Sequence, residues 1–183
     1  DKVESVRGTA IDSLRSIGKE SIPKLVEKIG EVKTDMKVLL ISAIGGIGQE
    51  GKDGIPHLID LLNSPKTEVR VEVARSLGKI GHNSNAAVNA LEKSLDDPKP
   101  DVRKEAALAL GKLGMDAVNT VPSLIKSLND ENDDVRWRAS EALGKIGSNK
   151  PEIVSSLENL IHDRCDYVCE SAIWAIDKIT EEE

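Results

Sequence analysis

One thirteen-residue phrase returns along this chain at a nearly constant interval, and that recurrence constrains the fold more than any other feature. It reads VRGTAIDSLRSIG from Val6, MKVLLISAIGGIG from Met36, VRVEVARSLGKIG from Val69, VRKEAALALGKLG from Val102 and VRWRASEALGKIG from Val135. A decayed sixth copy, VCESAIWAIDKIT, starts at Val168. The closing glycines Gly48, Gly81, Gly114 and Gly147 stand 33 residues apart. A period of this size marks a solenoid, in which a unit buries its apolar face only against its neighbours. The expected product is an extended array, and an extended array offers a partner an extended surface.

The phrase has helical periodicity. In the copy from Val102, the apolar residues Val102, Ala106, Leu110 and Leu113 fall three or four apart and define one buried face. The glycine behind the last turn suits the left-handed position that ends many helices. A second amphipathic segment precedes each later copy, with Leu25, Leu58, Leu91, Leu124 and Leu157 in one register. Pro23, Pro56 and Pro122 share a slot at the start of these segments, where a missing N–H costs nothing. The unit is therefore a helical hairpin, helix A then helix B. The expected division is a leading half-unit at 1–18, then hairpins at 19–48, 49–81, 82–114, 115–147 and 148–180. Because the chain opens inside a unit and at Asp1, we expect it to be a fragment of a longer protein.

Composition agrees with thin helical layers. Aromatic residues make up 2% of the chain and Phe is absent, so the core must be built from small and medium aliphatics. The net charge of −7 argues against a nucleic-acid or anionic-membrane surface. No apolar run reaches the ~18 residues of a membrane span. The two cysteines, Cys165 and Cys169, cannot form a distributed disulfide framework, which points to a reducing, cytoplasmic setting.

These features resemble the HEAT-repeat family, in particular its short phycobilisome-lyase type, over essentially the whole chain. The family pattern is an Asp in the turn after helix A, Val-Arg opening helix B six residues later, then an Ala/Leu/Gly run. Asp97 precedes Arg103 by six, and Asp130 precedes Arg136 by six. The resemblance implies an all-α, right-handed α-solenoid in which these four residues form a structural ladder between repeats. Lys37 stands where the Arg belongs in one unit, Ser64 replaces the Asp before Arg70, and Cys169 replaces the Arg after Asp163. Those departures predict a ladder that is continuous only through the middle.

Catalytic chemistry is poorly supplied. His57, His82 and His162 occupy unrelated slots, and none is followed by Glu as in the repeated metal pairs of some helical-repeat enzymes. His162, Cys165 and Cys169 are the one potential zinc cluster, but their spacing matches no common zinc module and no fourth ligand is fixed. Small buried thiols are the plainer explanation. No catalytic residue, metal or cofactor is therefore expected. Lys79, Lys112, Lys145 and Lys178 form a column that a phosphate backbone could follow. Each also lies in the last turn of a B helix, where a cation favours the negative end of the dipole.

The resemblance implies that B helices line the concave face. Positions one and five after the Arg slot then face outward, giving Val38, Val71, Lys104, Trp137 and Glu170, and Arg75, Leu108, Glu141 and Trp174. Position nine is the lysine column. Both tryptophans fall on this stripe, and Trp and Arg are the residues that most often dominate binding hot spots. The expected site is a groove holding a protein or peptide, with Trp137 exposed as anchor beside Leu108. Arg75, Lys79, Lys112 and Glu141 would set the charge, and Val38 and Val71 would add apolar area. Trp174 would either contact the partner or cap the core. A monomeric, non-catalytic scaffold is the function that follows, and a lyase-like subunit acting on a chromophore-bearing protein is the alternative.

Overall fold

The computed structural model describes Thr9, residues 12–14, 16–147 and 151–181. Most of the expected half-unit 1–18, and the join at residues 148–150, lie outside the described residues. From Ile22 on, the A helices α1 (Ile22–Glu31), α3 (Ile55–Leu61), α5 (Asn85–Ser94), α7 (Val121–Ser127) and α9 (Pro151–Glu158) alternate with B helices among the described residues. The B helices are α2 (Thr34–Gly46), α4 (Thr67–Ile80), α6 (Pro100–Leu113), α8 (Asp133–Ile146) and α10 (Asp166–Glu181). Each A helix packs on the B helix that follows it, and no strand occurs among the described residues. The molecule is an α-solenoid of helical hairpins.

The core follows the periodicity. Leu25, Leu58, Leu91, Leu124 and Leu157 are all buried, as are Val102, Ala106, Leu110 and Leu113 of α6. Short 3-10 segments (Gly18–Ser21, Gly48–Gly54, Gly114–Thr120) lead into α1, α3 and α7, whose first turns carry Pro23, Pro56 and Pro122. Helix α5 lacks that lead-in and is capped instead by Ser84, whose Oγ accepts the Ala87 N–H at 3.3 Å. The closing glycines are not all alike. Gly48, Gly114 and Gly147 have positive φ, but Gly81 does not, and the nearby positive φ belongs to Asn83. At Gly81 the constraint is space, because a Cβ there would lie 2.5 Å from the Leu77 carbonyl oxygen.

Successive B helices pack along their length, whereas successive A helices meet at few points. In a curved array the tighter layer is the inner one, so the B helices form the concave side. Inside these helices a second glycine column permits the closeness. Cβ atoms added at Gly45, Gly78, Gly111 and Gly144 would lie 2.9 Å from the Cα of Ser76, Ala109, Ala142 and Ala175 on the next B helix. The helices meet closely there, and a side chain on the glycine, or one larger than Ser or Ala opposite it, would separate the layers.

Candidate functional site

At the turns between A and B helices the repeats are joined by bidentate ion pairs. Arg70, Arg103 and Arg136 open the B helices, and each sends Nε to a carboxylate oxygen of Asp97, Asp130 and Asp163 respectively, at 2.7 Å. The Nη2 groups reach the second oxygens at 2.9, 2.8 and 2.7 Å. Each Nη1 donates to the carbonyl six residues earlier, on Ser64, Asp97 and Asp130, at 2.9 Å. The bidentate carboxylate therefore comes from the next unit, while the Asp slot of the arginine's own turn contributes its carbonyl. That is why Ser64 does not interrupt the ladder, contrary to the expectation from its identity. Arg136 likewise takes Asp163, with Asp133 as a further partner at 2.8 Å, rather than the Asp130 carboxylate. Cys169, in the arginine slot of α10, directs Sγ–H to the corresponding carbonyl, that of Asp163, at 3.1 Å.

Burial pulls the Asp97 and Asp130 carboxyls upward, but bonds from Arg70 or Arg103, a backbone N–H and the guanidinium charges together hold both below the usual carboxylate range. Asp163 is lowered first by its bond from Arg136, against burial. Such carboxyls take up protons more readily in the unfolded chain. Their contribution is complete above the unfolded pKa of about 4 and is lost as pH falls through the lower folded values. The urea midpoint is expected to hold between about pH 7 and 5 and to drop below about pH 4. Asp130→Asn should flatten that drop, and an equally steep profile in the variant would exclude Asp130 as a source.

The groove carries two recesses. One, of ≈ 620 Å³, is lined by Val38, Val71, Arg75, Lys104 and Glu105 among others. The second, of ≈ 310 Å³, is lined by Trp137, Glu141, Tyr167, Glu170, Ser171 and Trp174. Leu108 and Lys112 line neither; Leu108 is half-buried and Lys112 exposed. Arg75 is already engaged. Its Nε and Nη2 hold the buried Glu105 at 3.2 and 3.0 Å, and its Nη1 holds the buried Glu72 at 2.7 Å. Glu141 is shared by Arg138 and Lys145, both at 2.6 Å.

Trp137 is not the exposed anchor that its slot suggests. It is half-buried and packs against the core. The Arg138 guanidinium lies 3.6 Å from its ring centroid, and Tyr167 meets it edge-on at 5.5 Å. Ser171 of α10 also bonds its carbonyl at 3.3 Å. The open indole is Trp174, 40% exposed, whose ring edge rests against Gly144 while lining the recess. Tyr167, which the sequence reading does not single out, is similarly exposed in the same recess.

Lys79, Lys112, Lys145 and Lys178 are exposed at the C-terminal ends of the B helices. Burial of its stem lowers the Lys112 pKa, and the charges of Lys79, Arg75 and Lys145 lower it further against the pull of Glu105. An acidic column, Asp35, Glu68, Asp101 and Asp134, lies in the first turns of α2, α4, α6 and α8 at the same 33-residue spacing, so three of the B helices carry both an acid and a lysine. That spacing was readable, but each acid taken singly looks like an ordinary helix-start residue. His162, Cys165 and Cys169 do not converge. Cys165 Sγ–H donates to Asp133 at 2.9 Å, and among the described residues no three His, Cys, Asp or Glu are arranged to hold a metal ion.

Helical hairpins stacked through arginine–aspartate pairs, with B helices lining a groove, define an α-solenoid repeat protein. A model of HEAT repeats matches residues 22–111 and again 88–177, and the chain belongs to the HEAT-repeat family. No curated protein matches it in sequence. Among solved structures, a designed armadillo repeat protein in complex with the peptide (KR)4 is similar at 22% identity, covering 93% of this chain and 90% of that one, with TM-score 0.69. The complex of CpcE and CpcF of phycocyanin lyase from Nostoc sp. PCC7120 is similar at 19% identity, covering 85% and 98%, with TM-score 0.69. An engineered protein is similar at 21% identity, covering 94% and 86%, with TM-score 0.71. These likenesses are of fold. Among the described residues, no helix is long and apolar enough to cross a membrane.

Proposed function

We propose that the chain is a non-catalytic scaffold that holds a protein or peptide segment along its concave groove. The observation that carries this reading is the arrangement of two recesses on one stripe, between an acidic column and a lysine column. An elongated, charge-bordered trough suits an extended chain better than a compact small molecule. The units presenting it are the hairpins 19–48, 49–81, 82–114, 115–147 and 148–180. That the designed armadillo protein of the same fold is found with a peptide supports the reading. Two free thiols suit a reducing compartment such as the cytoplasm. The protein is proposed to act as a monomer.

Selection of binders from a displayed random-peptide library tests this. Peptides selected on the wild type are expected to lose affinity for Val71→Asp by about tenfold or more, as for a charge placed in an apolar contact. The thermal midpoint should move little, because Val71 is only half-buried at the groove surface. Peptides that bind the variant equally well would remove the groove from the reading. The phycocyanin lyase complex supplies the second reading, a subunit acting on a tetrapyrrole-bearing protein. Visible absorbance co-purifying with this chain after exposure to such a protein would favour it.

A further inference from the structure

All the aromatic residues of this chain, two Trp and one Tyr, line a single recess. Residue 137 comes from α8, while residues 167 and 174 come from α10, so the fold assembles the cluster from two units. A core with no other aromatic residue has spent its entire supply on one end of the groove. Packing does not require this, since the matching slots of the other units, such as Val38, Val71 and Lys104, hold no ring.

The electrostatics favour a cation. An aromatic face carries negative potential, which attracts an ammonium or guanidinium group. The recess already shows this on one ring, where Arg138 lies 3.6 Å from the Trp137 centroid. That leaves Trp174 and Tyr167, 40% and 42% exposed, as the open aromatic surfaces. Two carboxylates border them. Glu141 is committed to Arg138 and Lys145. Glu170 is exposed and makes no ion pair among the described residues, so it stands as an unneutralised charge at the rim. The Tyr167 hydroxyl lies 3.5 Å from the Asp134 carboxylate, which is itself paired with Lys104 at 3.2 Å, so Glu170 is the charge left to meet a cation. At ≈ 310 Å³ the space is at the small end for a ligand site and suits one long side chain.

We propose that this recess receives the cationic side chain of a lysine or arginine from the segment bound in the groove. Its stem would lie along Trp174 and Tyr167, and its charge would face Glu170. The assignment rests on the concave groove being the binding face, and it adds which kind of residue the partner presents at this end.

Three short peptides serve as probes, one alternating Lys and Arg, one alternating Glu and Asp, and one alternating Ser and Gly. Both tryptophans line the recess, so intrinsic emission reports its occupancy directly. The basic peptide is expected to change that emission saturably, and the other two are not. Trp174→Ala should weaken the basic peptide about tenfold. Glu170→Gln, at an exposed position that leaves packing intact, should weaken it by several-fold. Affinity unchanged in both variants would mean diffuse attraction to a chain of net charge −7 and would overturn the proposal. Equal or tighter binding of the acidic peptide would overturn it in favour of the lysine column. Emission unmoved by all three peptides would overturn it as well, yet library peptides dependent on Val71 would leave the groove reading standing. Loss of those Val71-dependent binders would bring down the groove reading too.

Discussion

Arg103→Ala is expected to lower the unfolding free energy by about 3 kcal/mol, the low end for a broken buried pair. The side chains of Arg103 and Asp130 are each 11% exposed, so truncation leaves a carboxylate with little access to water. Three contacts vanish with the guanidinium: the bidentate grip on Asp130, the bond to the Asp97 carbonyl, and a looser pair with the exposed Glu131 at 3.6 Å. The loss stays at the low end because Asp130 keeps the Asn132 N–H at 2.9 Å. The pair of Lys126 with Asp96 is the control. It also bridges units, at 2.7 Å, but its side chains are 76% and 72% exposed. Lys126→Ala should cost no more than about 1 kcal/mol. Urea unfolding of both variants at neutral pH measures the contrast, and equal losses would deny the ladder a role in joining units.

Leu110→Ala should cost about 2–5 kcal/mol, while Lys112→Ala, two residues along the same helix, should stay within about 0.5 kcal/mol. Leu110 is 0% exposed in the aliphatic core, where truncation leaves a cavity that close-packed neighbours fill only partly. Lys112 lies on the surface, where attraction to Glu105 is set against repulsion by Lys79, Arg75 and Lys145, so its removal changes little. Each unit is held only by its neighbours, so the leucine deficit should appear as a lower midpoint for the whole array. Chemical denaturation that ranked the two variants in reverse would contradict the helix phase.

The hairpins were legible because burial repeats with the sequence. Leu58, Leu91 and Leu124 recur at the unit's period, and the structure buries each of them fully. The ladder was legible in composition but not in pairing. Spacing by six suggests that Asp97 meets Arg103 through its carboxylate, whereas the contact within that turn is to a carbonyl, which leaves no mark in the sequence. The carboxylate partner lies 27 residues on, a distance set by stacking rather than by local chain geometry. Register likewise placed Trp137 on the proper side of its helix but could not give its depth. Arg138, Tyr167 and Ser171 close around it, two of them from the next unit. Arg75 shows the same limit, since the two glutamates that hold it come from its own helix and from the next.

The glycine column inside the B helices sets the terms on which this protein can change its length. Each join is a lock of two halves, a glycine on one helix and a small residue on the next, as at Gly78 with Ala109 and Gly111 with Ala142. A whole middle unit copied by gene duplication carries one half at each face, so it can be inserted between its neighbours without altering either join. Point substitution at one half has no such freedom, because the opposing backbone is already in contact. The last unit carries Asp177 at the glycine position. A copy of that unit placed inside the array would push its neighbour away until the aspartate was replaced. Growth by copying is open to the middle of the chain and closed to its last hairpin.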